Sequence, residues 1–394
     1  MEYKNAAGRM GNVLPAAKFC VKPRFFLDTT HDTSYNKSGR DDLMSKWEKL
    51  LQRILSLSKD LRFDELHKVL EDYGYQMFSP RSGSSHYTFR KPGCQPITIE
   101  AGDDHKDIAS LASIWQGLTD RGATRHSLVI NLGGGMITDL GGMAAATFKR
   151  GVRFINIPTT LLGAVDAAVG GKTGINFAGL KNEVGVFREA DAVIISAIWF
   201  DKLPRPELLS GYGEVIKHAL LSGQAELSEV LCFDPVTNPS AMLSLLQRSV
   251  SVKRRIVEED PCEKGLRKAL NLGHTAAHAF EALGFSRGAA VPHGHAVAWG
   301  LVTGLILSHM LLGFPSDTLH QVAQFVSEHY PAPAIGCRDY DTLIDYMRHD
   351  KKNTSSDAVN FTLLHEPGRP EIDHIVDAQH IKAALDITRD LLHV

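Results

Sequence analysis

Residues 128–148 read LVINLGGGMITDLGGMAAATF. The run from Leu128 to Leu132 is apolar apart from Asn131, too short for a helix, and ends at Gly133, Gly134 and Gly135. A short apolar run closed by turn residues reads as a buried strand. Small and apolar residues from 136 to 148 then continue as a helix. Strand, glycine turn and helix in that order form the core of a βαβ unit. Glycine lets a backbone approach a pyrophosphate, and a helix N-terminus offers free N–H groups to an anion. Asp139 lies one turn into the helix, where a carboxylate can reach a ribose or a nicotinamide edge. The pattern is not GxGxxG, so taken alone a ligand-free turn is the plainer reading.

Working outward, residues 97–99, 152–157 and 192–195 read as further strands and 108–118 as a helix. Strands alternating with helices predict a mostly parallel α/β sheet. After Pro204 the pattern turns helical, over 205–221, 239–258, 274–283, 293–312, 316–330 and 377–392, with one small hairpin from 361–364 and 372–375. The expected architecture is an α/β half followed by an α-helical half with a cleft between them, a common place for a ligand. Upstream, 44–58 and 63–73 have helical spacing, and 75–78, 86–90 and 96–100 are strand-like. Residues 1–43 are turn-rich, with a weakly strand-like Phe25-Phe26-Leu27.

The 394 residues carry a net charge of −2, with 43% hydrophobic and 22% charged residues. That balance gives no overall electrostatic case for nucleic acid or membrane. The five cysteines form no CxxC pair, which fits a reducing cytoplasm rather than a disulfide framework. No signal peptide is legible, and no run of 18 apolar residues occurs, so no spanning helix is expected.

Two groups of residues carry chemistry. In 158–182, Thr159, Thr160, Asp166, Lys172, Lys181 and Asn182 stand among small side chains. Lysines suit phosphate, and amide and carboxylate suit hydroxyls, so the segment fits a phosphorylated polyhydroxylated substrate better than a bare surface loop. Gly171-Lys172-Thr173 is not a P-loop, because Asp166 stands where its first glycine is required. Further on, His274 and His278 share a helix face, as do Glu214 and Lys217, and His293 and His295 flank Gly294. One carboxylate with two imidazoles and an open position is a catalytic zinc arrangement. With 18 histidines chance pairs are expected, and spacing leaves open which of them bind. The charged run 253–267 reads most simply as a solvated helix face, although Arg267 leads towards the histidines.

In one order the chain contains GGGMITDLGGMAAATFKRG, INIPTTLLGAVDAAVGGKTGIN, GLKNEVGVF, GYGEVIKHALL, EKGLRKALNLGHTAAHAFEALG, HGHAVAWG and HDKKN. Together these closely resemble the 3-dehydroquinate synthase family over residues 97–394. The resemblance implies a Rossmann-like NAD-binding half followed by an α-helical metal-binding domain. It implies conversion of 3-deoxy-D-arabino-heptulosonate 7-phosphate to 3-dehydroquinate and phosphate in the shikimate pathway, with NAD and zinc (or cobalt) as cofactors. By the same resemblance Glu214, His274 and His293 are the zinc ligands, and His278 is a proton-relay residue outside the coordination shell. Asp166, Lys172, Asn182, Lys217, Lys253, Arg267 and Asn271 match substrate or catalytic positions. Lys351 matches a phosphate contact, with Lys352 as the alternative, and Arg150 matches an arginine that reaches a neighbouring subunit, which implies a homodimer. Asp103, Lys106, Gly134, Gly135, Asp139, Thr159, Thr160 and Lys181 match NAD contacts. Related cyclases act on other sugar phosphates, but Lys253, Arg267, Asn271 and His278 keep the dehydroquinate synthase pattern.

The family's usual first βαβ unit is not legible, so the NAD half reads as incomplete. Residues 44–100 instead resemble HicA-type mRNA-interferase toxins, in MSKWEKLLQRIL, FDELHKVLEDYGYQMF, SGSSHYTFRKPG and PITIE, with His86 as the implied catalytic histidine. A natural fusion, a recombined fragment and a divergent NAD half-domain are the competing explanations. The expected organisation is 1–43 unassigned, 44–96 a small α+β module, 97–197 a truncated NAD-binding domain and 198–394 a helical zinc and substrate domain. A weakened fusion with an RNA-binding N-terminal module is the alternative to an active lyase.

Overall fold

The computed structural model describes residues 17–21, 76–78, 88–90, 96–178, 180–237, 242–349 and 359–394. His86, Lys351 and Lys352 lie outside the described residues, as do Phe25 to Leu27. The chain divides into two compact units, 1–156 with 173–192, and 157–172 with 193–394. Residues 157–172, grouped by sequence with the α/β half, belong to the second unit.

In the first unit, β1 (Ala17–Val21), β2 (Gln76–Phe78), β3 (Thr88–Arg90) and β4 (Ile97–Ile99) precede α1 (Ile108–Asp120). Then follow β5 (Leu128–Gly133), α2 (Gly135–Thr147), β6 (Arg153–Pro158), β7 (Lys172–Phe177), β8 (Leu180–Phe187) and β9 (Ala192–Val193). One sheet has the order β4-β1-β5-β6-β9. β1 runs antiparallel to both β4 and β5. The sequence reading has no strand at 17–21, a five-residue run with a lysine and no alternation to distinguish it. β2 and β3 pair antiparallel, close to the predicted 75–78 and 86–90. The Asp107 side chain accepts a hydrogen bond of 2.8 Å from the Ser110 N–H and so caps α1. Ile114, Leu118, Leu140 and Phe154 meet in the core of this unit. β7 and β8 form a separate two-stranded sheet where the sequence reading has only a loop. Glycines, lysines and exposed apolar residues hide the period-two pattern there.

The second unit holds α3 (Arg205–Ser222), α4 (Gln224–Leu231), α5 (Leu243–Glu259), α6 (His274–Ser286), α7 (His293–Leu312), α8 (Ser316–His329) and α9 (Tyr340–Arg348). The hairpin β10 (Val359–Glu366) and β11 (Arg369–Val376) precedes α10 (Ala378–Leu391). Asp377 caps α10 by accepting hydrogen bonds from the N–H groups of Gln379 and His380, both 2.9 Å. α7 is the central element, packed against α3, α6, α8, α10 and β10. With a mean hydropathy of 1.5 it is long and apolar enough to cross a membrane, yet 78% of it is buried among these neighbours. A helix apolar all round and enclosed by protein is a core helix.

Candidate functional site

Three helices of the second unit each supply one donor. Glu214 sits mid-way along α3, and His274 and His293 are the first residues of α6 and α7. Each has a glycine beside it in sequence, Gly213, Gly273 or Gly294. A Cβ on Gly294 would stand 1.6 Å from the Ser210 carbonyl oxygen, and one on Gly213 would stand 2.4 Å from the Gly294 carbonyl oxygen. α3 and α7 therefore touch backbone to backbone. The Gly294 N–H also donates to the Ser210 hydroxyl at 3.1 Å. This close approach brings short side chains into one small space. Gly294→Ala is expected to destabilise the fold by about 3 kcal/mol, the upper end for overpacking, and to lower metal content. Thermal unfolding and metal analysis check both, and wild-type values in each would contradict the packing argument.

Glu214 is completely buried. His274 Nε2 lies 3.4 Å and His293 Nε2 3.5 Å from its Oε1. The three donor atoms lie within 4.8 Å of one another, the one such group among the described residues. A tetrahedral ion with bonds of about 2.0–2.2 Å has donor–donor edges of about 3.3–3.6 Å. Both Glu214 oxygens are buried without a hydrogen bond, although the Lys217 ammonium lies against Oε2. Lys217 meets Oε2, whereas Oε1 faces the two imidazole nitrogens, and a buried carboxylate oxygen so placed is costly unless a cation meets it as well. The donor set thus fits a divalent metal ion. The outer nitrogens hold the rings in place: His293 Nδ1 donates to Glu281 Oε2 at 3.2 Å, and His274 Nδ1 to the Leu272 carbonyl at 3.2 Å. Glu281 was not among the residues the sequence singled out. The His278 ring lies 5.6 Å from that of His274 and is not part of the donor cluster.

Electrostatics follow from burial. Burial, helped by Lys217, pushes the His274 imidazole down to about 3. Burial acts the same way on His293, but Glu281 and Glu214 outweigh it and push that ring up to about 10. Burial works to raise the Glu214 pKa, whereas Lys217 and the two histidines hold it well below the ordinary carboxylate range.

Around this cluster the second unit gathers further sequence-predicted residues. Asp166 stands in the π-helical turn Gly163–Ala167 and pairs with Lys253 of α5, whose ammonium also donates to the Asp166 carbonyl at 2.6 Å. Arg267, only 2% exposed, donates to the carbonyls of Pro261 at 2.7 Å and Gly170 at 2.8 Å. Lys172 pairs with Glu263, which also accepts from the Asn271 amide at 3.3 Å. Glu263 is thus turned inward, though the charged run around it reads as a solvated face. Only its left-handed backbone, φ 58, sets it apart, and that is invisible in sequence. Thr159 is buried with an unbonded hydroxyl, and the Thr160 hydroxyl accepts from the Gly163 N–H at 3.1 Å.

The Asp166 pKa is tested by acid. Burial raises it, but Lys253 and then Lys217 bring it below its ordinary 3.8. A carboxyl depressed in the fold binds protons more readily once unfolded. Its stabilisation is therefore present above about pH 4 and lost as pH falls towards the folded value. Thermal unfolding of the wild type should fall more steeply between about pH 5 and pH 2 than that of Asp166→Asn; parallel curves would contradict this.

In the first unit, Gly134 caps α2 without any side-chain hydrogen bond, which leaves the helix N-terminus open. Lys106, 4% exposed, donates to Asp139 Oδ2 and to Asn182 Oδ1, each at 2.5 Å. Lys181 pairs with Asp103 at 3.3 Å. Arg150 is exposed, in a short turn where its φ is 68 and that of Lys149 is 50.

Residues 96–210 match the model of the 3-dehydroquinate synthase N-terminal family, and 211–353 that of the C-terminal family. A 3-dehydroquinate synthase of Parabacteroides distasonis is 54% identical over 295 residues, covering 75% of this chain and 83% of that protein. One from Listeria monocytogenes is 32% identical over 351 residues, covering 87% and 91%. Two solved structures share the fold. A 2-deoxy-scyllo-inosose synthase with carbaglucose-6-phosphate, NAD+ and Co2+ gives a TM-score of 0.65 at 22% identity, covering 74% of this chain and 81% of its own. A 2-epi-5-epi-valiolone synthase from Streptomyces hygroscopicus with NAD+ and Zn2+ gives 0.65 at 24% identity, covering 74% and 82%. With family models over both halves, and relatives aligned over most of their own length, the chain belongs to the 3-dehydroquinate synthase family.

Proposed function

We infer that the chain performs its family's reaction, converting 3-deoxy-D-arabino-heptulosonate 7-phosphate to 3-dehydroquinate and phosphate. It is then a carbon–oxygen lyase of the shikimate pathway. The observation that carries this reading is the cluster of buried Glu214 with half-buried His274 and His293 inside the matched segment. The reaction couples transient oxidation at C5 to β-elimination of phosphate, re-reduction and intramolecular aldol closure.

Two fold relatives hold NAD+ with cobalt or zinc, and NAD with zinc is the proposed pair here, with cobalt as the substitute for zinc. When bound, they supply reversible hydride removal and polarisation of the substrate hydroxyl. Glu214, His274 and His293 would hold the metal. The open N-terminus of α2 at Gly134 and Gly135 suits a pyrophosphate. Asp103, Lys106, Asp139, Thr159, Thr160 and Lys181 are the further NAD contacts proposed. Lys253, Arg267 and Lys172 supply positive charge for an anionic substrate. Asp166, Asn182, Lys217 and Asn271 would orient its hydroxyls, and His278, beside the donor cluster but outside it, would relay a proton. Lys351 would meet the phosphate. Exposed Arg150 would serve a neighbouring subunit in a homodimer.

The test supplies the purified protein with zinc, NAD and the heptulosonate phosphate. One phosphate should appear per dehydroquinate, with no net NADH. Absence of phosphate, or NADH accumulating in step with substrate loss, would overturn the reading.

A further inference from the structure

The segment 260–267, which runs from the end of α5 into the 3-10 turn Leu266–Asn271, carries both Glu263 and Arg267. It contains no apolar anchor of its own apart from Leu266 at its end. Its shape comes from one carboxylate. Asp260 Oδ1 accepts from the Lys264 N–H at 3.0 Å, and Oδ2 accepts from the N–H groups of Gly265 at 2.7 Å and Arg267 at 3.1 Å. The Asp260 backbone carbonyl accepts from the Glu263 N–H at 3.4 Å. Glu263 is held at φ 58, a conformation a non-glycine residue keeps only when its surroundings impose it. The ring of bonds to Asp260 is that surrounding. With the chain so folded, the Arg267 guanidinium turns back to the Pro261 carbonyl and across to Gly170. Glu263 meanwhile faces Lys172 and Asn271.

We propose that Asp260 is a positioning residue: its carboxylate folds residues 260–267 into the turn that presents Glu263 and Arg267 to the substrate. This rests on the proposed lyase reaction. The N–H groups of Gly265 and Lys264 that face the carboxyl also hold its pKa below the ordinary value. Asp260 touches no reacting atom and acts through the two residues it places.

Wild type, Asp260→Ala and Asp260→Asn are compared as zinc- and NAD-loaded enzymes by phosphate release, by NAD titration and by limited trypsin digestion. Asp260→Ala is expected to raise KM and lower kcat, together about 10²-fold in kcat/KM, the usual loss for a misplacement near 1 Å. NAD affinity and zinc content should stay at wild-type values, and trypsin should cut after Lys264 ahead of the rest of the chain. Asp260→Asn keeps one acceptor oxygen and should recover part of the loss. Wild-type KM and kcat in Asp260→Ala would overturn the proposal, as would a loss that follows only the folded fraction. Should Asp260→Ala fail to fold, wild-type kinetics in Asp260→Asn would overturn it equally. A wild type that releases no phosphate would sink the lyase reading alone, and the trypsin comparison would still decide the role of Asp260.

Discussion

Glu214→Ala is expected to lower phosphate release by about 10³-fold or more, corresponding to several kcal/mol of lost charge stabilisation. Glu214 is the only donor of the three that carries a fixed negative charge, and both histidine Nε2 atoms face its Oε1. Without it Lys217, 1% exposed, is left as a buried cation beside two imidazoles, an arrangement that repels a metal ion. The loss should appear in kcat and in metal content together. Glu214→Gln separates charge from shape: it keeps the side-chain volume and should be nearly as inactive, with a smaller loss of stability. Turnover within about tenfold of wild type in either variant would show that the reaction does not depend on the Glu214 carboxylate.

Lys253→Ala is the second large effect, this time on stability as well as rate. Lys253 is 7% exposed, and its ammonium neutralises Asp166 while also bonding the Asp166 carbonyl. Breaking a buried pair by removing one partner costs about 3–5 kcal/mol, because the remaining charge stays uncompensated. The Asp166 side chain keeps 31% exposure, so water softens the penalty, and the lower end of that range is expected. Glu214 acts in the other direction, since its charge also bears on Asp166. The double variant Lys253→Met with Asp166→Asn should regain most of the stability, as neutral replacements of buried pairs generally do, while staying inactive. Denaturant unfolding measures the first quantity and phosphate release the second. A Lys253→Ala protein as stable as wild type would show that the pair contributes nothing to the fold.

The helical half was legible because its signal is periodic and long. α3, α6, α7, α8 and α10 all begin within about a residue of the positions read from sequence, at Pro204, Gly273, Pro292, Pro315 and Asp377 boundaries. The short α4 and α9 escaped, having too few turns for a period to stand out. β7 and β8 escaped because Lys181, Asn182 and Glu183 interrupt any apolar alternation, and Val184, Val186 and Phe187 are all exposed. β1 pairs by backbone with distant β4 and β5, a long-range choice that five residues cannot announce. At the site, the i,i+4 pair of His274 and His278 points to a shared helix face but says nothing about ring orientation. The resemblance, not the spacing, assigned the ligand role to His293. A physical signal was nonetheless present: Gly213, Gly273 and Gly294 adjoin the three donors, and glycine beside a candidate ligand marks where helices can meet closely. Glu263 and Asp260 had no such mark, because their roles depend on a loop closed by hydrogen bonds rather than on any pattern of residue types.

In a metal titration of chelator-stripped protein, phosphate release is followed as zinc is returned in the presence of NAD and the heptulosonate phosphate. A metal held by these three residues requires that activity is lost on stripping and returns linearly to a sharp end-point at one zinc per chain, and that Glu214→Ala, His274→Ala and His293→Ala neither bind that zinc nor recover. Full activity in the stripped enzyme, or one tightly held zinc in all three variants, would contradict it.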